Sequence, residues 1–82
     1  MPTILRFAGS RIVIYPNDHR PAHVHVIGND CEAVFEMGCP RGFVVLRENY
    51  GFGRLALSRI ERELKVHQNR LCHEWEKIHG NS

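Results

Sequence analysis

His23-Val24-His25-Val26-Ile27-Gly28-Asn29-Asp30-Cys31-Glu32-Ala33-Val34-Phe35-Glu36 reads as two extended segments joined by a tight turn. Val24 and Val26 alternate with His23 and His25, so one face of the first segment is apolar and the other carries imidazoles. Gly28-Asn29-Asp30 supplies the turn, which predicts one strand over His23 to Ile27 and another over Cys31 to Glu36. The register decides what the histidines face. A two-residue turn at Gly28-Asn29 puts Glu32 opposite His25 and Val34 opposite His23, whereas a three-residue turn puts Ala33 and Phe35 there. The sequence leaves both open.

Toward the N-terminus, Thr3 to Phe7 and Arg11 to Tyr15 are short runs rich in β-branched and aromatic residues. Ala8-Gly9-Ser10 between them predicts a hairpin in which Gly9 supplies the positive φ. Pro16-Asn17-Asp18-His19-Arg20-Pro21 has two prolines and two turn formers and must be a loop. Toward the C-terminus, after the loop Gly38-Cys39-Pro40-Arg41-Gly42, Phe43 to Arg47 suits either a fifth strand or an extended segment along a helix. Glu48-Asn49-Tyr50-Gly51-Phe52-Gly53 then connects to that helix, with Phe52 stapling its start to the core and Gly53 as a permissive N-cap.

From Arg54 to about His79 there is no Gly or Pro, and Leu57, Ile60, Leu64, Leu71, Trp75 and Ile78 recur at helical steps. Gly80 ends the run. Leu57, Leu64, Leu71 and Ile78 form a seam roughly 30–40 Å long if the helix is continuous. Such a seam covers the sheet, breaks near His67-Gln68-Asn69 into a helical hairpin, or meets a protein partner, a second copy of the chain included. Arg59, Arg62, Lys65 and Arg70, mixed with Glu61 and Glu63, form a solvated outer face. The expected fold is α+β: an antiparallel meander of four to five strands over roughly residues 3–47, packed against a long C-terminal helix or helical hairpin over roughly 54–79, in a single domain.

The chain has 82 residues, 43% hydrophobic and 24% charged, which suffices for one modest core and excludes large active-site architectures. A net charge of +2 is far from that of an obligate DNA-coating protein. No apolar run is long enough to span a membrane, and Met1-Pro2-Thr3 shows no secretory leader, so a cytoplasmic location is the default expectation. Cys31, Cys39 and Cys72 are odd in number and widely spaced, which fits reduced thiols better than a disulfide.

Histidine is the compositional outlier, and three of the six fall between His19 and His25. His23 and His25 share a face one pleat apart and can ligate one divalent transition metal, with His19 as third nitrogen and Asp18 or Glu32 as oxygen ligand or orienter. The same imidazoles can instead run acid–base chemistry on a phosphodiester, His23 or His25 moving the proton while Arg20 or Arg47 holds the phosphate. A third reading makes them structural, bonded only to loop carbonyls or carboxylates.

The order of these features resembles a small bacterial family catalogued as domain of unknown function 4160. Met1-Pro2-Thr3-Ile4, Asn17-Asp18-His19, Pro21, His23-Val24-His25-Val26, Glu48-Asn49-Tyr50-Gly51-Phe52 and the Leu57-to-Trp75 helix carry the resemblance over nearly the whole chain. Ala22 stands where members typically have a second proline, and Gly53 where they often have Ser. The resemblance brings no established reaction. It implies a neighbouring small gene and hence a toxin–antitoxin-like pair, in which RNA cleavage would use His23 or His25 and Arg20 or Arg47. The alternative is a non-enzymatic metal- or protein-binding module.

Overall fold

In the computed structural model of the chain, which describes residues 3–39 and 42–79, the alternating first half forms one antiparallel sheet. Its strands are β1 (Thr3–Phe7), β2 (Ser10–Val13), β3 (His23–Gly28), β4 (Cys31–Glu36) and β5 (Val45–Tyr50), side by side in sequence order. Helices α1 (Arg54–Val66) and α2 (Gln68–His79) follow. This is the expected α+β meander with all five strands present.

The first hairpin turns on two residues rather than three. Ala8 and Gly9 both take positive φ, 50° and 80°, and Ser10 already belongs to β2 and is buried. β2 stops at Val13, so Ile14 and Tyr15 begin the loop that returns over the sheet.

The β3–β4 register is neither of the two expected ones. Gly28 pairs with Cys31, so Asn29 and Asp30 make the turn, with Asp30 at φ +61°, a conformation that Asp tolerates. His25 therefore faces Val34, and His23 faces Glu36. Gly28 serves close approach instead of the turn: a Cβ there would lie 3.0 Å from the Phe52 ring and 3.1 Å from Cys31 Sγ. The Phe52 staple thus bears on the sheet backbone itself.

The fifth strand is real but starts and ends later than expected. It spans Val45–Tyr50, so Glu48, Asn49 and Tyr50 are strand residues, and the connector shrinks to Gly51-Phe52 before Gly53 caps α1. Asn49 holds that corner by accepting from the Phe52 N–H through Oδ1 and donating to the Phe52 carbonyl through Nδ2.

Ile12, Val24, Val26, Ala33 and Phe35 present one sheet face to Ile60, Leu64, Leu71 and Trp75 from the helices, with Leu57 and Ile78 packed at the margin. The helical seam is therefore used on the chain's own sheet. A straight helix over 54–79 would run about 39 Å at 1.5 Å per residue, longer than the 35 Å greatest extent of the described chain. The break falls at His67, within the expected stretch, but it makes no hairpin: the His67 N–H donates to the Glu63 carbonyl and the Leu71 N–H to the His67 carbonyl, so the ladder passes through. Gly80, expected to stop the helix, lies outside the described residues, as do Pro40 and Arg41 of the loop.

The cysteine expectation is overturned. Cys39 and Cys72 form a disulfide across 33 residues, with Cα atoms 5.7 Å apart, and Cys31 alone is free. Spacing could not show this, because the pair exists only once the loop after β4 is laid against α2. Gln68 fastens the same loop by donating to the Met37 and Gly42 carbonyls at 2.7 and 2.9 Å. Among the described residues, no helix is long and apolar enough to cross a membrane.

Candidate metal centre

Strand alternation puts Val24 and Val26 into the core, which turns His23 and His25 to the sheet face that the helices leave uncovered. The rings lie side by side, with centroids 5.4 Å apart. The loop between β2 and β3 folds over them. Within it the Asp18 N–H donates to the Tyr15 carbonyl at 3.1 Å, and the Tyr15 N–H donates back to Asp18 Oδ2 at 3.4 Å. This two-way clamp aims the Asp18 carboxylate at the strand, and the Tyr15 ring packs edge-on against His25 at 4.5 Å.

The result is a convergence of three side chains. Asp18 Oδ2 is 3.4 Å from His23 Nε2 and 3.2 Å from His25 Nε2. The far nitrogens are also occupied: His23 Nδ1 lies 2.9 Å from the Pro21 carbonyl, after a cis Arg20–Pro21 bond, and His25 Nδ1 lies 3.2 Å from Glu32 Oε2. Glu32 reaches His25 diagonally, since it pairs with Ile27 and not with His25 as the first expected register had it. The His–carboxylate contact is present nonetheless, because a two-residue register shift preserves the face.

These contacts fix the chemistry that the cluster can do. A carbonyl or carboxylate oxygen only accepts, so each Nδ1 donates, and a neutral ring then turns its bare Nε2 lone pair toward Asp18. Two lone pairs facing one carboxylate oxygen call for positive charge between them, as a proton on each Nε2 or as one cation shared by all three groups. The spacing suits the cation. Ligand atoms 2.0–2.1 Å from a tetrahedral ion stand about 3.3–3.4 Å apart; the Asp18–histidine distances of 3.4 and 3.2 Å are close to that, and all the possible ligand atoms of Asp18, His23 and His25 lie within 4.8 Å of one another, near enough for a small side-chain adjustment to close on an ion. A ligating histidine whose other nitrogen donates to a carbonyl or carboxylate is the usual support of such a site. With two imidazoles and one carboxylate, the donor set fits zinc, iron(II) or cobalt(II) better than calcium or magnesium.

The other expected site residues are distributed around this core. His19 is exposed and lies outside the trio, so Asp18 occupies the place expected of it. Arg20 turns away: its guanidinium binds Glu76 on α2 through two bonds of 2.9 and 3.1 Å and sits 5.0 Å over the Trp75 ring. The Arg20 guanidinium holds the Glu76 carboxyl below the usual carboxylate range. Arg47 comes toward the site. The β4–β5 pairing jumps from Glu48 opposite Val34 to Leu46 opposite Phe35, leaving Arg47 as the extra residue of a bulge. A bulge re-aims a side chain that regular alternation would send to the other face. Asn17, Asp18, His19, Arg20, His23 and Arg47 together line a shallow depression of about 230 Å³.

The family model described as a domain of unknown function, DUF4160, matches residues 9–76. The chain belongs to this family. Comparison with curated proteins returned no match, and comparison with solved structures returned none either. The DUF4160 match covers the loop, both histidines, the bulge and the Trp75–Glu76 pair of α2.

Of the residues singled out from the sequence, the structure brings His23, His25 and Asp18 together, sets Glu32 beside His25 and places Arg47 on the same depression. The Arg20–Glu76 and Arg20–Trp75 contacts were not expected from the sequence. No local signal joins residues 56 positions apart.

Proposed function

We propose that this DUF4160 protein is a small metal-binding module in which Asp18, His23 and His25 hold one divalent transition metal ion. The observation that supports it most is the convergence of two Nε2 atoms and one carboxylate oxygen at ligand spacing, with both Nδ1 atoms anchored. Elemental analysis of protein loaded with zinc and dialysed tests it. The expected result is one ion per chain, lost in His23→Ala and His25→Ala; an ion content unchanged by both substitutions rejects it.

A second reading, His-dependent RNA cleavage within a toxin–antitoxin-like pair in the cytoplasm, draws support from Arg47 sharing a depression with His23. In this reading His23 or His25 moves the proton and Arg47 is the phosphate clamp, because Arg20 is engaged by Glu76. RNA cleavage by the purified protein that disappears in His25→Ala with the fold retained is its expected result; no cleavage, or cleavage untouched by that change, rejects it. The partner would not dock on the helical seam, whose Leu71 and Trp75 are buried. Among the described residues, Phe43, Val45, Leu46 and Tyr50, on or just before edge strand β5, and Leu55 and Val66 on α1 are the large apolar side chains left exposed.

A further inference from the structure

The metal reading leaves coordination positions to be filled, and the surroundings say by what. Three protein ligands on a tetrahedral ion leave a fourth position open. The depression reaches Asp18 and His23, so that position communicates with solvent on the side where His19 and Arg47 stand. Both are exposed. Among the described residues neither has a hydrogen-bond or ion-pair partner, and Arg47 is the cation that the bulge brings to the depression, since Arg20 on the same rim is bound to Glu76.

Of the acidic groups nearby, Glu36 stands opposite His23 but lines a separate cavity beside Ala22 and Cys72 and not this depression, and the others are engaged. Asp18 meets both imidazoles, Glu32 meets His25, and Glu48 accepts from the Tyr50 hydroxyl at 3.0 Å. What faces the depression is then the proposed cation site, a guanidinium and an imidazole, a set that selects an oxyanion. The bulge strengthens the inference. It costs a ladder position on β5, and Arg47, which regular alternation from Glu48 would send to the helix side, lines the depression beside Asp18 and His23.

Resting on the metal reading, we propose that this site binds a phosphoryl group, one oxygen on the metal and the others on the planar fork of Arg47, with His19 at the rim. Arginine matches a phosphate bidentately where lysine offers a point charge. The depression, at about 230 Å³, is smaller than the roughly 300–1,000 Å³ of pockets that engulf a small molecule. It therefore takes the phosphoryl group and leaves what carries it outside. Inorganic phosphate, a phosphate monoester and a phosphodiester of RNA share this chemistry.

Cobalt(II) serves as metal and reporter, since its visible spectrum changes when the open position is filled. The full-length chain is loaded with cobalt, uptake is measured, and inorganic phosphate or a short single-stranded oligoribonucleotide is titrated in. The expected result is a saturable spectral change. Arg47→Ala should take up cobalt as the wild type does and bind phosphate about 10- to 100-fold more weakly, the worth of hydrogen bonds to a charged group, and Arg47→Lys should fall between. A response to the oligoribonucleotide at lower concentration than to phosphate assigns the group to a phosphodiester; the reverse order assigns a free or terminal phosphate. Cobalt uptake with no response to either ligand, or an Arg47→Ala protein that binds phosphate like the wild type, overturns this inference and leaves the metal reading standing. Failure to take up cobalt overturns both.

Discussion

Glu32 is not itself one of the three proposed ligands, but it accepts from the Nδ1–H of His25, whose Nε2 faces Asp18. Removing such an outer partner commonly weakens metal binding 10- to 100-fold. Glu32→Gln, which keeps an acceptor but loses the charge, should weaken zinc binding toward the low end of that range, and Glu32→Ala toward the high end; a competition titration against a coloured chelator reads both. Gly28 carries another residue-scale prediction. An added Cβ would meet the Phe52 ring at 3.0 Å and Cys31 Sγ at 3.1 Å, so Gly28→Ala should stabilise the strand only as far as the Phe52 ring gives way by a few tenths of an ångström, and the bulkier Gly28→Val should destabilise by about 1–3 kcal/mol, the usual range for overpacking, in urea unfolding. At this scale the sequence was a good guide to side-chain type and a poor one to contact. Alternation put His23 and His25 on one face. Whether Glu32, Val34 or Glu36 stood beside them depended on one turn, and Gly28, the obvious turn residue, lies instead where Phe52 packs.

α2 anchors the fold through Leu71 and Trp75, both essentially inaccessible to solvent. Leu71→Ala leaves a cavity between the helix and the sheet and should lower stability by about 2–5 kcal/mol, measured by denaturant titration with Trp75 fluorescence as the signal. The helical stripe was legible because its period is 3.6 and it is uninterrupted by Gly or Pro. Its break at His67 was legible only as a region, since no Gly or Pro marks the residue at which the helix is interrupted. β5 shows the opposite case. Every residue in it is exposed, so no burial alternation marked its boundaries, and the bulge at Arg47 broke the period that would have marked them.

For the molecule as a whole, the Cys39–Cys72 bond joins the loop after β4 to the last helix and so closes the sheet layer onto the helical layer. By chain entropy alone, a loop of 33 residues is worth roughly 3–4 kcal/mol. Thiol reduction should lower the urea midpoint by a matching amount without changing the zinc stoichiometry, because neither cysteine touches Asp18, His23 or His25. A midpoint indifferent to reductant would contradict this. The architecture itself could be read from two periodicities and four turn signals. The disulfide and the Arg20–Glu76 bridge could not, since each joins residues that only the finished packing brings together.

The central claim is that one ion sits where the two imidazole Nε2 atoms and the Asp18 carboxylate meet. Anomalous diffraction from a crystal of the zinc-loaded protein, with data on both sides of the zinc edge, locates the ion without reference to any assumed ligand. The account predicts one strong peak per chain, about 2.0–2.2 Å from His23 Nε2, His25 Nε2 and an Asp18 oxygen. A peak on other residues, or none while the three side chains stay bonded to each other, would contradict it.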